Sequence, residues 1–134
     1  MDWKLEVIVV PVSDVDRAKR FYSEQVGFVV DVDRQISDAF RVVQMTPPGS
    51  ACSVTIGKGL SMMAPGSLKG LQLVVSDIEA AHAQLVARGV AVSEVQHFED
   101  GVPVAGHGED LNSFIFFDDP DGNSWAVQEH APKS

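Results

Sequence analysis

The feature that most constrains the fold of this chain is a strand–helix junction that occurs twice in the sequence. The first copy, VVPVSDVDRAKRFY, covers residues 9–22, and the second, LVVSDIEAAHAQL, covers residues 73–85. When Ser13 is aligned with Ser76, the following Asp and the next β-branched residue align as well, and Ala18 aligns with Ala81. A polar pair between a β-rich run and an amphipathic stretch is typical of a strand followed by a capped helix. The repeat therefore predicts two copies of one supersecondary unit.

The segments around both junctions follow the same order. Residues 5–12 predict a strand, Ser13 is placed to cap the helix after it, and Gly27 is placed to end that helix. In the second copy, Ser76 and Glu79 have the spacing of a capping box. The β-rich runs that follow the helices are residues 28–33, 40–46 and 52–57 in the first half and 90–95, 113–119 and 124–129 in the second half. The pattern thus predicts two βαβββ modules.

The length of the chain allows these modules to form one domain. A chain of 134 residues has enough sequence for one sizeable core and too little for two independent ones. We therefore expect a single α+β domain over residues 1–134, with module one at about 1–62 and module two at about 68–130.

Composition excludes several classes of partner. The net charge of −9 and the pI of about 4.7 oppose binding to a phosphate backbone, so we expect no nucleic-acid partner. Hydrophobic residues make up 45% of the chain, but no run reaches the ~20 residues of a membrane span. The first residues do not have the pattern of a secretory signal, and the single cysteine excludes an internal disulfide. We expect a cytoplasmic protein with no membrane association.

Strand alternation predicts which side chains lie on the sheet face that each module's helix leaves open. Successive side chains of a strand point to opposite faces, and the more uniformly apolar set should meet the helix. In residues 113–119 we assign Phe114 and Phe116 to the open face and Ile115 and Phe117 to the core. The other predicted open-face residues are Val7, Val9, Ser53, Thr55, Gln72, Val74, Ala126 and Gln128.

Two motifs carry a resemblance to a known family. "VSDVDRAKRFY" opens the first helix and "DPDGN", residues 119–123, turns into the last strand. In two βαβββ modules, these motifs resemble the vicinal oxygen chelate superfamily, which contains glyoxalase I, extradiol dioxygenases, fosfomycin-resistance enzymes and bleomycin-resistance proteins. The resemblance implies an open cup-like mixed sheet with helices on the outer face. It also implies a homodimer, since members of the family commonly pair modules within or between chains.

The same resemblance implies where metal ligands would lie in metal-dependent members. These positions fall on Val7, Gly70 and Ala126, and more loosely near Thr55. A divalent site needs several imidazole or carboxylate groups, and these residues do not supply them. Glu129 neighbours the last-strand position, but strand parity turns it to the other face, where we expect a solvated strand-end carboxylate. We therefore expect no metal and no other cofactor.

Catalytic residues are less clearly indicated. His97 and His107 flank residues 98–106 within a long connection, residues 97–111. If this connection folds over the open face, either histidine could supply an acid or a base. No companion residue is set by spacing, so these two histidines are the weak catalytic candidates. We expect His130, close to the end of the sequence, to be frayed.

Three functions remain open from the sequence. The leading hypothesis is a metal-independent protein of the glyoxalase/bleomycin-resistance type that sequesters or positions a hydrophobic or aromatic ligand. The predicted ligand-binding residues are Val7, Val9, Thr55, Gln72, Phe114, Phe116, Ala126 and Gln128. The alternatives are a glyoxalase-like lyase, isomerase or dioxygenase that uses displaced ligands or a loop histidine, and a structural dimer whose pocket has collapsed.

Overall fold

The computed structural model describes residues 1–131, which form two compact units. The first unit consists of Met1–Leu68 together with Asp119–Asn123, and the second consists of Lys69–Asp118 and the residues from Ser124 onward. Each unit contains one open mixed sheet, so the α+β class is confirmed. That the chain forms a single domain stays a prediction.

The first unit is built on a four-stranded sheet. Its strands have the order β1-β4-β3-β2, with β1 parallel to β4 and the other neighbours antiparallel. The helix continues as π-helical turns over Phe21–Val26 and ends at Gly27, whose φ of 95° suits a residue without a Cβ. The elements are β1 (Val7–Val9), α1 (Val15–Arg20), β2 (Val29–Ser37), β3 (Phe40–Thr46) and β4 (Ser53–Lys58).

The second unit repeats this topology. Its sheet has the order β5-β9-β8-β6-β7, with β5 parallel to β9, so β5, β9, β8 and β6 take the places of β1, β4, β3 and β2. The elements are β5 (Leu71–Val75), α2 (Ile78–Ala87), β6 (Gln96–Glu99), β7 (Val102–Ala105), β8 (Phe114–Asp118) and β9 (Ser124–Glu129). The internal repeat read from the sequence is therefore also a repeat of strand order.

One predicted strand of the second unit is wrong. Residues 90–95 form only an isolated bridge, between Val92 and Phe117, while the strands lie further on as the β6–β7 hairpin. The hairpin turns at Asp100 and Gly101, whose φ values of 52° and 78° are the positive values of a type I′ turn. The long connection of residues 97–111 therefore contains a hairpin, and the Asp-Gly pair was the sequence signal for it.

The two helices begin one residue later than predicted. Asp14 caps α1 by accepting a hydrogen bond from the Arg17 backbone N–H at 3.0 Å, and Asp77 caps α2 in the same way from Ala80 at 3.0 Å. Ser13 instead hydrogen-bonds to Asp121, so both predicted serine caps, including the capping box, are wrong. Within residues 1–131, no helix has the length and apolar composition that crossing a membrane requires.

The DPDGN motif is a buried structural turn of the first unit. Asp119 is only 4% exposed and its Oδ1 accepts the backbone N–H groups of Asp121 and Asn123, both at 2.9 Å. Its Oδ2 accepts the Tyr22 hydroxyl and the Asn123 side-chain amide, both at 2.7 Å. The Asn123 amide also donates to the Pro11 carbonyl at 2.8 Å. The carboxylate therefore serves to hold the turn against the end of the first strand and α1.

Candidate functional site

The open face of the second sheet carries an aromatic and amide surface. Alternate residues of β8 and β9 are buried, including Ile115, Phe117 and Trp125, and these strands contact α2. The residues between them are half-buried, and those at the corresponding positions of β5 are exposed. We call this surface the Phe face; it consists of Gln72, Val74, Phe98, Phe114, Phe116, Ala126 and Gln128.

Strand register brings the side chains of the Phe face together in two rows. Ala126 pairs with Gln72 on one side and with Phe116 on the other. Gln128 lies between Val74 and Phe114 in the same manner. Paired residues point to the same side of a sheet, so the first row runs from an amide over a methyl group to a phenyl ring. The second row runs from a valine over an amide to a phenyl ring.

Three phenylalanine rings form the apolar part of the Phe face. The rings of Phe114 and Phe116 lie parallel, with centroids 6.0 Å apart and an interplanar angle of 11°. Phe98, from β6, meets both of them edge-on, with centroid distances of 5.4 Å and 6.5 Å. Phe98 was not among the predicted site residues, because residues 97–111 were expected to form a long connection, and it lies instead in β6. Half-buried rings of this kind offer both flat and edge contacts to an aromatic molecule.

The two predicted glutamines form one hydrogen-bonded chain. Gln72 Nε2 donates to Gln128 Oε1 at 2.7 Å, and Gln128 Nε2 donates to the backbone carbonyl of Leu111 at 2.8 Å. The chain thus orients polar groups beside the phenyl rings, which is the usual composition of a small-molecule site.

The remaining predicted ligand-binding residues lie on the sheet of the first unit. Val9 pairs with Thr55, and Val7 pairs with Ser53, so these side chains share one face. Val7 is 42% exposed and Val9 is half-buried, whereas Thr55 is buried and has Gln44 as its other register partner. The structure therefore brings Val7, Val9 and Thr55 together within their own unit.

A polar chain on this same face was not found from the sequence. Thr46 Oγ1 donates to the carboxylate of Asp31 and lies 2.7 Å from Ser53 Oγ. Since the single hydroxyl proton of Thr46 is directed to Asp31, Ser53 is the donor in the second contact. The chain depends on the break in register between Val30 and Val32, which strand periodicity alone does not reveal.

A cavity of the first unit lies at the end of β1. Its volume is about 520 Å³, and it is bounded by residues 9–15 and by the 57–61 segment, with Met63 and Pro65. Asp14 and Ser13 are already engaged there in the helix cap and in contacts to Asp121. The cavity is therefore lined mainly by backbone and aliphatic groups.

The two candidate catalytic histidines line a common cavity of about 350 Å³ in the second unit, with Glu99 and Glu109. His97 alternates with Phe98 along β6, which places its side chain on the other side of that strand. His97 Nδ1 lies 2.8 Å from the Gly106 carbonyl and Nε2 lies 3.0 Å from Glu99. Both partners can only accept, so they favour the doubly protonated ring and raise the pKa of His97.

His107 is held by a buried carboxylate. Its Nε2 lies 2.7 Å from Glu129 Oε1, while Glu129 Oε2 accepts the backbone N–H of Ile78 at 2.9 Å, at the start of α2. Glu129 has the predicted orientation, away from the Phe face, but it is only 9% exposed. The expected solvated strand-end carboxylate is therefore wrong, because the first turn of α2 and His107 supply partners that make its burial possible.

The end of the described chain is also more ordered in its contacts than predicted. The His130 backbone N–H donates to the Val75 carbonyl at 2.9 Å, and its ring lies 3.1 Å from Asp110. The Ala131 N–H donates to the same carboxylate at 2.9 Å. The prediction that His130 is frayed is therefore wrong.

The residues at the family's metal-ligand positions do not form a donor set for a divalent cation. Val7, Gly70 and Ala126 carry no ligating atom, and Thr55 offers one buried hydroxyl. Among residues 1–131, no group of three or more His, Cys, Asp or Glu side chains has a geometry that could hold a metal ion. A metal-dependent step therefore has no residues to support it at these positions.

Comparison with known proteins gives the family. The model of the Glyoxalase/Bleomycin resistance protein/Dioxygenase superfamily matches residues 4–127. No curated protein matches the chain. Among solved structures, TnmS3 from Streptomyces sp. CB03234, described as an antibiotic binding protein, is 32% identical, with a TM-score of 0.77 over 97% of this chain and 98% of its own.

Two further structures agree with this result. A glyoxalase/bleomycin resistance protein from Streptomyces sp. CB03234 is 34% identical, with a TM-score of 0.74 over 94% of this chain and 100% of its own. A superfamily member from Sphaerobacter thermophilus DSM 20745 is 27% identical, with a TM-score of 0.76 over 96% and 98% of the two chains. With its repeated strand order, its DPDGN turn and these matches, the chain belongs to the glyoxalase/bleomycin resistance protein/dioxygenase superfamily.

Proposed function

We propose that this protein binds a hydrophobic or aromatic small molecule on the Phe face and sequesters or positions it without a metal. The observation that carries the proposal is the pairing of three half-buried phenylalanine rings with an ordered amide chain on one sheet face. The likeness to TnmS3, described as an antibiotic binding protein, supports a ligand of this kind. The fold hosts several activities, so the side chains of the site carry the proposal.

The proposal is tested by titration with a flat aromatic probe. N-phenyl-1-naphthylamine, which fluoresces more strongly in apolar surroundings, and metal-free bleomycin are added separately to the purified protein. Phe114→Ala should weaken binding of the naphthylamine about tenfold, because removing one phenyl ring forfeits roughly 60 Å² of apolar contact at about 25 cal/mol per Å². Val86→Ala, which shortens an exposed side chain on α2, is the matched control and should leave binding unchanged. Equal affinity of wild type and Phe114→Ala, or no binding of either probe, would contradict the proposal.

Metal independence has its own measurement. Protein incubated with nickel, zinc, manganese or iron(II) and then dialysed should contain no stoichiometric metal by elemental analysis, since the family's ligand positions carry no adequate donors. One equivalent of metal retained per chain would overturn this part of the proposal. A metal-dependent turnover of methylglyoxal hemithioacetal or of simple catechols would favour the enzyme alternative instead.

We also propose that the protein is a homodimer. Trp3, Leu5 and Val7, which form an alternating apolar row in the sequence before and at the start of β1, are exposed by 89%, 70% and 42%. An apolar row of this kind is unusual on a monomer's surface and is typical of an interface. Size-exclusion chromatography with light scattering should give twice the monomer mass, and Trp3→Glu should reduce it; a monomeric wild type would contradict the proposal.

A further inference from the structure

The side-chain amides of Gln72 and Gln128 are oriented by the backbone carbonyl of Leu111, a residue with a strained backbone conformation. Leu111 has a φ of 65°, in the left-handed region that a bulky side chain rarely adopts. Its backbone N–H donates to the Glu129 carbonyl at 3.0 Å, and its own carbonyl accepts from Gln128 Nε2. Strained residues that are held from both sides in this way concentrate at ligand sites.

The Leu111 carbonyl sets the direction of both amides. A backbone carbonyl can only accept, so Gln128 must turn its Nε2 toward Leu111 and its Oε1 toward Gln72. Gln72 must then present its Nε2 to that oxygen. Turning either amide by half a rotation would face oxygen with oxygen or N–H with N–H. The usual ambiguity between the two ends of a glutamine amide is thus removed by the hydrogen-bond chain itself.

This direction leaves one particular group for a ligand. At Gln72, one of the two N–H groups of Nε2 donates to Gln128, while Oε1 keeps its lone pairs and the side chain is exposed. Gln72 pairs with Ala126, and Ala126 pairs with Phe116, so a small side chain separates the acceptor from the ring. Two strand spacings, roughly 10 Å, separate Gln72 from Phe116. A ring system of two or three fused rings can therefore lie over Ala126 with its polar edge at Gln72.

We propose that Gln72 Oε1 is the polar anchor of the site and that the ligand is a neutral aromatic molecule with a hydrogen-bond donor, a phenolic hydroxyl or an aromatic N–H, on its edge. This inference rests on the proposed function of the Phe face. Asp118, two residues beyond Phe116 in β8, points to the same side and is exposed, so the sheet face beside the rings carries a carboxylate. This carboxylate and the net charge of −9 disfavour an anionic ligand. An ether or ketone edge has no proton to donate, so it cannot hydrogen-bond to Gln72 Oε1.

The experiment compares two probes that share one ring system. 2-Naphthol carries a donor and 2-methoxynaphthalene does not, and each is used to displace N-phenyl-1-naphthylamine from the protein. Wild type should bind 2-naphthol about five- to tenfold more tightly, the effect of one hydrogen bond. Gln72→Leu should bring the ratio of the two dissociation constants close to one.

Gln128→Leu tests whether the hydrogen bond from Gln72 to Gln128 sets the orientation of the Gln72 amide, whereas Gln72→Leu tests whether that amide contacts the ligand at all. Without Gln128, the Gln72 amide is free to rotate and to present Nε2, so 2-methoxynaphthalene should gain affinity while 2-naphthol keeps most of its own. Gln84→Leu makes the same chemical change at an exposed position of α2 and should leave the wild-type ratio intact. Circular dichroism and thermal melting confirm that each variant is folded.

The outcomes separate this inference from the proposal on which it rests. Equal binding of the two naphthalenes by wild type, with N-phenyl-1-naphthylamine binding still sensitive to Phe114→Ala, overturns the inference and leaves the proposed function in place. A ratio that survives Gln72→Leu also overturns it, since the donor must then meet another group. If N-phenyl-1-naphthylamine does not bind at all, both are overturned together.

Discussion

The buried contact between Tyr22 and Asp119 predicts a specific loss of stability. Tyr22 is fully buried, and its hydroxyl donates to Asp119 Oδ2 at 2.7 Å. Asp119, 4% exposed, receives three further hydrogen bonds: the N–H groups of Asp121 and Asn123 on Oδ1, and the Asn123 amide on Oδ2. Tyr22→Phe removes one of the four donors to this carboxylate and leaves the ring in place.

The expected magnitude follows from the charge and the burial of the acceptor. A hydrogen bond to a charged group contributes about 1.5–3 kcal/mol, and water cannot replace the hydroxyl at a fully buried site. Because the other three donors remain, the lower half of that range applies, and we expect the free energy of unfolding to fall by about 2 kcal/mol. For a chain of this length, this corresponds to a decrease of roughly 6–8 °C in Tm.

The assay is urea unfolding at pH 7, followed by circular dichroism, for wild type, Tyr22→Phe and a control. Ser13→Ala is the control, since Ser13 hydrogen-bonds to Asp121 in the same turn but at an exposed position. Ser13→Ala should lower the free energy of unfolding by less than about 1 kcal/mol. The slope of the unfolding free energy against urea should be the same in all three proteins, because the change removes one oxygen and exposes no new surface.

A loss of less than about 0.5 kcal/mol in Tyr22→Phe would refute this reasoning, since a fully buried charge-assisted bond cannot be so weak. A loss equal to that of Ser13→Ala would do the same. Either result would mean that the Asp119 carboxylate is held by the backbone of its own turn and that Tyr22 contributes only its ring.

Two further predictions concern carboxylates in other parts of the molecule. Arg41 and Lys19 hydrogen-bond to Asp33 and lower its pKa to about 2, so its stabilising contribution is present above about pH 4 and is lost between pH 4 and pH 2. Asp33→Asn should therefore lower the free energy of unfolding by about 1 kcal/mol at pH 7, a value discounted because the side chain is a quarter exposed. In urea unfolding, the difference from wild type should shrink to a small fraction by pH 2 and vanish below it; an undiminished difference at pH 2 contradicts the prediction. Glu129→Ala should lower the free energy of unfolding by about 2–4 kcal/mol, because it removes the acceptor for the Ile78 N–H and opens a buried space. Glu129→Gln keeps an acceptor and should lower it clearly less. Equal melting temperatures of the two variants would contradict this role.

The assignment of sheet faces needed only local sequence. Strand alternation separates Phe114 and Phe116 from Ile115 and Phe117, and the preferred assignment of the first pair to the open face agrees with the burial of the second pair. That inference relies on the two-residue period of a strand, which is a local property of the backbone. It succeeded where a strand was long and buried on one side. Their role as ligand-binding residues stays a prediction, as it does for Val7, Val9 and Thr55.

The helix caps show where local sequence becomes ambiguous. In both junctions a serine and an aspartate stand side by side, and either side chain can accept from the first helical N–H groups. The choice of Asp14 is coupled to a distant residue, because Asp121 engages Ser13 from the other end of the first unit. The sequence pattern therefore could not distinguish the serine from the aspartate as the capping residue, and the predicted start of each helix was one residue too early.

The sequence by itself determined the repeated modules, the two helices, the sheet faces and the turn at DPDGN, because each depends on residues close together in the chain. Tertiary structure decided which polar groups meet. Glu129 is buried because the first turn of α2 lies beside it, and Gln72 has one orientation because the carbonyl of a strained Leu111 reaches Gln128. Hydrogen bonds between distant residues depend on the direction of individual donors and acceptors. The two-residue period of a strand predicts to which sheet face a side chain points. Only the tertiary structure determines which group it hydrogen-bonds to there.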